Sequence, residues 1–244
     1  MQKRNTELDS KPDSKTALIS GASGGIGQAL ARRLSKNGYR LFLLGRDSAA
    51  LSSVAEQCKQ VNSSISILAG DLRDESYMTE ALRQAMGFLK HIDVLVNNAG
   101  TAAYGAVQTA DINAWRSVLD INFSAAVYLS RFVLPDMIAN KRGTVINISS
   151  LSGRNTSAGD AIYAATKHAM IGFAGCLYED VRDFGIKVST IMPGFVSTPL
   201  TASLGKQAEN MIQADDIADS VDYILRASPS CCPTEIVIRP QLRP

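Results

Sequence analysis

Two hydrophobic periods alternate along the chain. Short runs that are apolar at nearly every position predict buried strands, and longer segments with an apolar residue every three or four positions predict amphipathic helices. The predicted strands are residues 16–20, 40–44, 64–68, 92–96, 144–148, 187–191 and 235–238. The predicted helices are residues 26–36, 48–60, 75–89, 112–140, 160–184 and 214–227. Repeated strand–helix units of this kind predict an α/β fold, a doubly wound parallel sheet with helices on both faces.

The sequence shows no internal division. Its 244 residues contain no repeat and no Pro/Ser-rich linker, so we expect residues 15–244 to form a single domain. Residues 1–14 are polar and predict a flexible N-terminal tail. Apolar residues make up 45% and charged residues 20% of the chain, which is typical of a soluble globular protein with a substantial core.

Charge and cysteine content argue against several kinds of partner. The formal net charge is +2 and the basic residues are scattered, so no nucleic-acid partner is expected. No apolar run approaches the ~20 residues of a membrane span and the N-terminus lacks a signal-peptide core, so no membrane partner is expected. The four cysteines, of which Cys231 and Cys232 are adjacent, have neither metal-site nor disulfide spacing, and no metal is expected. These features predict a protein of the reducing cytoplasm.

A glycine-rich turn joins the first predicted strand to the first helix. It reads Ser20-Gly-Ala-Ser-Gly-Gly-Ile-Gly27. Glycines let the backbone approach a ligand closely, and a helix that begins there offers free N–H groups and the positive end of its dipole to an anion. The turn therefore predicts a site for the pyrophosphate of a dinucleotide, and a turn that only serves tight packing is the alternative.

Tyr163 and Lys167 lie four residues apart in a predicted helix, and the serine pair Ser149-Ser150 ends the preceding strand. Positions i and i+4 share a helix face, so the phenol and the ammonium can point into one pocket. A free tyrosine has a pKa of about 10, and a nearby cation lowers that pKa toward the range of acid–base catalysis. The pair is a candidate catalytic unit, and a surface Tyr–Lys pair is the alternative.

Five motifs occur in a fixed order. They are Gly21-x-x-x-Gly25-x-Gly27, Asn97-Asn-Ala-Gly100, Ser150, Tyr163-x-x-x-Lys167 and Pro193-Gly194. In this order and spacing they resemble the short-chain dehydrogenase/reductase family over about residues 15–240, with that family's G-x-x-x-G-x-G in place of the G-x-G-x-x-G of other Rossmann enzymes. Ser20 departs from the family pattern, where threonine is usual, but keeps a hydroxyl. The resemblance implies a Rossmann-type fold and an enzyme that uses a nicotinamide dinucleotide.

The resemblance implies a cofactor site assembled from distant segments. Asp71-Leu72 would lie beside the adenine ring, Asn98 to Gly100 beside the adenine ribose, and Pro193 to Thr198 around the nicotinamide, while Asn97 would tie neighbouring strands. The implied cofactor contacts are Gly21, Ser23, Gly25, Ile26, Gly27, Arg46, Asp71, Leu72, Asn98, Ala99, Gly100, Tyr163, Lys167, Pro193, Gly194, Val196 and Thr198. From the residues alone, Asp71 also suits a turn or an N-cap, and Pro193-Gly194 also suits an ordinary turn.

Cofactor choice depends on the end of the second strand, Leu44-Gly-Arg-Asp47. An acid that holds the ribose 2′-OH of NAD is expected about 20 residues beyond the glycines. By resemblance that acid would stand at Gly45, and a basic residue just after it favours the 2′-phosphate of NADP, which Arg46 can bind bidentately. Asp47 is the rival, because it suits either the ribose or the N-cap of the next helix. The sequence favours NADP(H) over NAD(H).

The chemistry that the resemblance implies is hydride transfer between NADP(H) and a carbonyl or secondary alcohol. By resemblance, Tyr163 donates or removes the proton, Ser150 hydrogen-bonds the carbonyl oxygen, and Lys167 holds the nicotinamide ribose and lowers the pKa of Tyr163 together with the oxidised nicotinamide. Asn122 falls inside the predicted helix 112–140, where asparagine is a poor helix former. This misfit agrees with the family's catalytic asparagine, which kinks the helix and holds a water that links Lys167 to solvent. An Asn122 that faces solvent is the alternative.

We expect a small ketone or a 3-hydroxy-acid-like substrate. The segment 200–211 is short and the loop 151–159 is small and polar. The ending 235–240 differs from the glycine-rich ending common in 3-oxoacyl-carrier-protein reductases of the family, so that activity is the runner-up. A third hypothesis is a non-catalytic NADP-binding sensor, which would usually lack the tyrosine or the lysine.

Two further expectations concern contacts outside the cofactor site. Arg154 would either meet an anionic substrate or face solvent, and solvent is favoured. The resemblance also implies a homodimer or homotetramer formed through the two long helices, here predicted over 112–140 and 160–184.

Overall fold

The computed structural model describes residues 15–61, 64–202 and 205–244, and the predicted tail, residues 1–14, lies outside this part of the chain. Seven strands form one sheet in the order β3-β2-β1-β4-β5-β6-β7, and every neighbouring pair is parallel. The strands are β1 Thr16–Ile19, β2 Arg40–Gly45, β3 Ile65–Ala69, β4 Val94–Asn97, β5 Gly143–Ile148, β6 Ile186–Pro193 and β7 Glu235–Ile238. The predicted parallel α/β sheet is confirmed.

Helices cover both faces of the sheet. They are α1 Gly25–Lys36, α2 Ser48–Lys59, α3 Glu75–Leu89, α4 Ile112–Leu119, α5 Ala125–Asn140, α6 Ala161–Val181 and α7 Ala214–Arg226. Successive strand residues face opposite sides, so Ile19 packs in the core beneath α1, α2 and α7, and Leu18 packs in the core beneath α3, α5 and α6. Both faces of β1 are therefore buried, which explains why the strand is apolar at nearly every position.

The chain order places a crevice at the carboxyl ends of β1 and β4. From β1 the chain adds β2 and β3 on one side, and then crosses over to add β4 to β7 on the other. The loops after β1 and β4 leave in opposite directions at this reversal, and open α/β sheets bind ligands in the crevice between such loops. The glycine turn 20–27 and the motif 97–100 follow these two strands, so the fold brings them together.

The helix predicted over 112–140 is interrupted at Asn122. In the structure α4 ends at Leu119, a π-helical turn spans Asp120–Ser124, and α5 begins at Ala125. A π turn inserts one residue into the α-helical path and distorts it locally. The irregularity that Asn122 predicts is confirmed.

The stretch Ile112–Asn140 is also apolar enough, by length and composition alone, to cross a membrane. Among the described residues it is the one such stretch; its most apolar window has a mean hydropathy of 1.2 and is 44% buried inside the protein. Charged residues such as Asp120 and Arg131 interrupt it, so no continuous apolar run marks it in the sequence. Leu129 and Val133 of α5 are fully buried in the core against the sheet, which accounts for the apolar character.

Candidate active site

One cleft lies at the carboxyl ends of β1, β4, β5 and β6. Every predicted cofactor contact lines it, and so do Ser149 and Ser150, whereas Asn122 lies behind it. The cleft is also lined by residues outside the predicted set, namely Gly24, Gly45, Gly70, Ile121, Ile148, Pro199, Leu200 and Thr201. Most of them are sequence neighbours of a motif residue, which is the signal by which they could have been found.

The glycine turn is packed too closely for side chains. A Cβ at Gly27 would lie 2.2 Å from the carbonyl oxygen of Gly21, and a Cβ at Gly21, where φ is +66°, would lie 2.7 Å from the Cα of Ala99. Gly24, the N-cap of α1, provides no side-chain cap for this helix. Because the first N–H groups of a helix have no partners within it, the N-terminus of α1 faces the cleft as a donor site for an anion.

Ser20 and Asn98 hold this turn against the loop after β4. The Ser20 hydroxyl donates to Val96 O at 3.3 Å and accepts from the backbone N–H groups of Asn98 and Ala99 at 3.1 and 3.2 Å. The Asn98 side-chain amide donates to the carbonyl oxygens of Ser20 and Gly21 at 3.1 and 3.0 Å. The Ser20 hydroxyl, which the more common threonine would also provide, therefore holds the loop after β4 against the glycine turn.

Asn97 ties strands together, as the sequence predicts. Its Nδ2 donates to Asn147 Oδ1 on β5 at 2.9 Å and to Ser130 Oγ on α5 at 3.1 Å. The residue is buried, and its side chain connects β4 to the next strand and to the helix that covers them.

The residues after β2 separate into two roles. Arg46 lines the cleft, while the Asp47 carboxylate accepts a hydrogen bond from Ala50 N at 2.9 Å and caps α2. Of the two roles open to Asp47, the structure therefore shows the cap. A Cβ at Gly45 would lie 2.6 Å from Ser23 Oγ, so a side chain there requires Ser23 to move.

Asp71 combines the cleft with a turn. Its carboxylate forms an ion pair with Arg73 at 2.5 Å and accepts from Arg73 N at 2.9 Å. The Arg73 guanidinium lowers the pKa of Asp71 to about 2, and the charge of Arg46 contributes in the same direction. Asp71 is thus a carboxylate at neutral pH. The hydrogen bond from Arg73 N to its side chain also forms the turn that the sequence allowed for Asp71, beside the cleft.

Lys167 is a buried ammonium at the bottom of the cleft. Its Nζ donates to Ile148 O at 2.9 Å and lies 5.6 Å from the centroid of the Tyr163 ring. Burial lowers the pKa of Lys167 to about 8. The helical spacing therefore brings the ammonium and the phenol into one pocket, as the sequence predicts.

The pKa of Tyr163 does not follow the expected direction. Burial raises it to about 12, a hydrogen bond with Ser150 lowers it only partly, and the charges of Tyr104 and Asp160 raise it further. Lys167 does not offset the loss of solvation around the phenol. With the groups of this chain alone, the Tyr163 phenol therefore keeps its proton at neutral pH. That Lys167 and the oxidised nicotinamide together lower the pKa of Tyr163 stays a prediction.

The two serines after β5 differ in orientation. Ser149 is buried and donates to the Lys167 carbonyl oxygen at 3.1 Å, which ties the end of the strand to α6. Ser150 accepts from Ser152 N at 3.1 Å through its hydroxyl, which stays free to donate. The predicted division between a structural Ser149 and a Ser150 beside the phenol agrees with these contacts.

Asn122 connects the π turn to the loop after β4. Its Oδ1 accepts from Thr101 N at 2.8 Å, and its Nδ2 donates to Thr101 O at 2.9 Å and to Thr166 Oγ1 at 3.2 Å. The residue is 1% exposed, so the solvent-facing alternative is wrong. The water that Asn122 is expected to hold stays a prediction.

The loop after β6 closes the cleft from above. Thr198 packs on the glycine turn, since a Cβ at Gly25 would lie 2.8 Å from Thr198 Cγ2. The loop is supported by β7 and the residues after it, because Gly194 N donates to Ile238 O at 2.8 Å and a Cβ at Gly194 would lie 2.8 Å from Pro240 Cδ. These contacts hold the predicted nicotinamide loop opposite the turn.

Two residues outside the cleft lining bear on the substrate end. Arg154 is exposed to solvent, as favoured from the sequence, and its guanidinium forms a surface ion pair with Glu235 of β7. Tyr104, which no motif contains, places its ring centroid 6.4 Å from that of Tyr163. Its position in the loop after Asn97–Gly100 is the signal that could have indicated it.

Comparisons with known proteins agree with this geometry. The family model described as short chain dehydrogenase matches residues 15–209. An uncharacterized oxidoreductase of Staphylococcus saprophyticus is 32% identical over 229 residues, which are 93% of this chain and 97% of that protein.

Solved structures of similar fold include NADP-bound and NADPH-bound enzymes. A metagenomic short-chain oxidoreductase in complex with NADP is 32% identical with a TM-score of 0.83, covering 94% of this chain and 98% of that one. An actinorhodin polyketide ketoreductase variant with NADPH is 25% identical with a TM-score of 0.85, covering 93% of this chain and 95% of that one.

Proposed function

This chain belongs to the short-chain dehydrogenase family, and from that premise we propose that it interconverts a small carbonyl compound and the corresponding secondary alcohol with NADP(H) as the hydride carrier. The proposed substrate is a small ketone or a 3-hydroxy-acid-like molecule. The observation that carries the proposal is the meeting of Ser150, Tyr163 and Lys167 in the cleft that the glycine turn lines.

The residues of the cleft suit a dinucleotide. The uncapped N-terminus of α1 suits the pyrophosphate, Asp71 and Leu72 suit the adenosine half, and Lys167 and Thr198 suit the nicotinamide half. When bound there, the reduced cofactor supplies a hydride for the substrate carbon.

Three features favour NADP(H). Arg46 lines the cleft, and among the described residues its side chain has no hydrogen-bond or ion-pair partner, so the guanidinium is free to bind a 2′-phosphate. Asp47 is engaged in capping α2. At Gly45, the position of Ser23 opposes the acidic side chain by which NAD sites hold the ribose. The related metagenomic oxidoreductase was solved with NADP, which agrees with this preference.

The chain's own groups account for the proton. In carbonyl reduction, the buried Tyr163 phenol holds its proton at neutral pH and donates it to the oxygen as negative charge develops there. The Ser150 hydroxyl donates a hydrogen bond to the same oxygen. Lys167, whose pKa is about 8, is mostly an ammonium at pH 7 and places a positive charge beside the phenol as the proton leaves. The protonated phenol is the form of Tyr163 that carbonyl reduction requires.

The test is Tyr163→Phe, assayed by nicotinamide absorbance on a panel of ketones and 3-oxoacyl thioesters. We expect the variant to lose about 10²–10⁴-fold in kcat because the proton donor is absent. NADPH affinity, measured by fluorescence titration, should change little. Tyr223→Phe, on the exposed face of α7, is the matched control and should keep wild-type rates.

The outcomes separate the hypotheses. Near wild-type turnover by Tyr163→Phe contradicts the proposed mechanism, and initial rates that strongly favour NADH over NADPH contradict the cofactor preference. Turnover confined to 3-oxoacyl thioesters favours the carrier-protein reductase. Tight NADPH binding without turnover of any carbonyl favours the sensor.

We also propose that the protein acts in the cytoplasm as a homodimer or homotetramer. The support for assembly is an exposed apolar surface on α4 and α5, where Leu119, Tyr128 and Phe132 are 42%, 44% and 40% exposed. Isolated apolar side chains are ordinary on a surface, but Tyr128 and Phe132 lie one turn apart on α5 and so share one exposed face, which suits an interface.

A further inference from the structure

Asp71 brings a negative charge to the same end of the cleft as Arg46. Gly45 of β2 pairs with Ala69 of β3, and Gly70 N donates to Gly45 O at 3.0 Å. Arg46 and Asp71 therefore leave neighbouring strands side by side, and both line the cleft. An uncompensated carboxylate at this position would repel the 2′-phosphate that Arg46 can attract.

Arg73 compensates the charge of Asp71 through a bidentate ion pair. Its Nη2 lies 2.5 Å from Asp71 Oδ2, and its Nε lies 3.0 Å from each of the two carboxylate oxygens. Its backbone N–H also donates to Asp71 Oδ1 at 2.9 Å. A planar guanidinium that binds a carboxylate with two N–H groups fixes the orientation of that carboxylate as well as its charge.

The remaining guanidinium nitrogen anchors Arg73 to a second element. Its Nη1 donates to Ser117 Oγ at 2.8 Å, and the Ser117 hydroxyl donates to Asn113 O of α4 at 3.1 Å. The arginine thus connects the loop after β3 with α4, although its side chain is 41% exposed. An exposed ion pair contributes little to stability, so its main effect here is on the charge and orientation of Asp71.

Arg46 and Arg73 differ in their availability to a ligand. The Arg46 side chain has no hydrogen-bond or ion-pair partner within the described part of the chain, whereas all three guanidinium nitrogens of Arg73 are engaged. Arg73 is not among the residues that line the cleft, so it acts on a ligand through Asp71. The hydrogen bond with Asp71 is the main cause that raises the pKa of Arg73, and the charge of Asp120 is the smallest contribution.

We propose that Arg73 is a positioning residue for cofactor specificity, which neutralises and fixes Asp71 so that the cleft accepts the 2′-phosphate of NADP(H). This inference rests on the proposed function, because it concerns the cofactor proposed there. The 2′-phosphate carries about two negative charges near neutral pH, and NAD(H) has an uncharged hydroxyl in its place. The adenine ring is common to both cofactors, so a change in its contact with Asp71 cancels in the ratio of the two affinities.

The first test measures the affinities of NADPH and NADH by fluorescence titration. In Arg73→Met we expect the ratio of NADPH affinity to NADH affinity to fall about 10-fold, because one charge near a phosphate has an effect of this order at a partly exposed site. Arg73→Lys keeps the charge and should keep most of the ratio. The matched control is Arg83→Met, which removes an exposed arginine from its ion pair with Glu80 on α3 and should leave the ratio unchanged.

A double variant separates the effect of charge from a structural role of Arg73. In Asp71→Asn/Arg73→Met the uncompensated carboxylate is absent, so the ratio should return to within about twofold of the wild-type value. Loss of a merely structural contact would not be restored by removing its second partner. A ratio that stays low in the double variant, or one that does not fall in Arg73→Met, overturns the proposal.

A titration of cofactor fragments distinguishes failure of this inference from failure of the proposed function. Adenosine 2′,5′-bisphosphate and 5′-AMP are titrated calorimetrically into the cofactor-free wild type and Arg73→Met. A loss of affinity confined to the bisphosphate supports the role of Arg73 even if no carbonyl compound is turned over, a result that contradicts the proposed function alone. Equal effects of Arg73→Met on both fragments overturn the role of Arg73 and leave the oxidoreductase proposal standing.

Discussion

At the scale of single residues, Lys167 couples the candidate site to stability. Its ammonium is buried with one carbonyl partner, and burial lowers the pKa from an ordinary 10.5 to about 8. Between these two values the unfolded chain binds a proton that the folded chain has lost. The free energy of unfolding therefore rises with pH across this window, by about 1.4 kcal/mol per pH unit where the difference is a full proton.

We expect this rise to be measurable in urea unfolding between pH 8 and pH 10, with a gain of about 2 kcal/mol in the wild type. Lys167→Met should show no such gain, whereas Lys36→Met, at an exposed position on α1, should retain it. Above pH 10 three buried tyrosines have the opposite effect, so that the free energy of unfolding falls as the pH rises; they are Tyr39, Tyr77 and Tyr163. Burial raises the pKa of each to about 12, so the unfolded chain loses those protons first. Equal pH dependence in wild type and Lys167→Met would contradict the buried-ammonium argument.

At the scale of elements, the π turn Asp120–Ser124 organises the site without lining most of it. Asn122 within it makes three hydrogen bonds, two to the backbone of Thr101 and one to Thr166 on α6. Asn122→Leu keeps the side-chain size but leaves these buried groups without partners. We expect a loss of about 2–4 kcal/mol in the free energy of unfolding and a lower kcat, because the loop after β4 loses its anchor.

The matched control is Asn113→Leu, at an exposed position on α4, which should change stability by no more than about 0.5 kcal/mol. Denaturant unfolding and steady-state kinetics on the same preparations provide both readouts. If Asn122→Leu is as stable and as active as Asn113→Leu, Asn122 is not the anchor that its contacts indicate.

Elements were predictable where one local pattern decides them. The period of the strands and the position of Asn122 in an otherwise helical segment both lie in the sequence. The start of β4 was less clear: Ile92 continues the apolar run, but pairing with β5 begins only at Val94. The pairing of strands, and not their hydrophobicity, sets where the ladder begins, and pairing is a tertiary property.

At the scale of the whole molecule, the candidate site combines two kinds of information. The motif residues around Gly21, Tyr163 and Lys167 were predictable because each motif is local and the fold orders the motifs. Contacts between distant segments were not predictable in this way. The Arg154–Glu235 ion pair joins positions 81 residues apart, and Ser23 occupies the position that a side chain at Gly45 would need. The raised pKa of Tyr163 depends on burial, which residue identity alone does not reveal.

Assembly is the property of the whole molecule that the proposed interface on α4 and α5 makes testable. Tyr128 and Phe132 are one helical turn apart on α5, so both side chains lie on the same face and are partly exposed in the single chain. Replacing both with glutamate places two like charges where two copies would meet, and burying them unpaired is unfavourable. We expect light scattering to show a smaller species for this double variant than for the wild type.

Val61→Glu, a charge introduced at an exposed apolar position outside these helices, is the control and should leave the mass unchanged. If the double variant keeps the wild-type mass, the oligomer forms through another surface; a wild type that is monomeric at micromolar concentration removes the proposed assembly altogether.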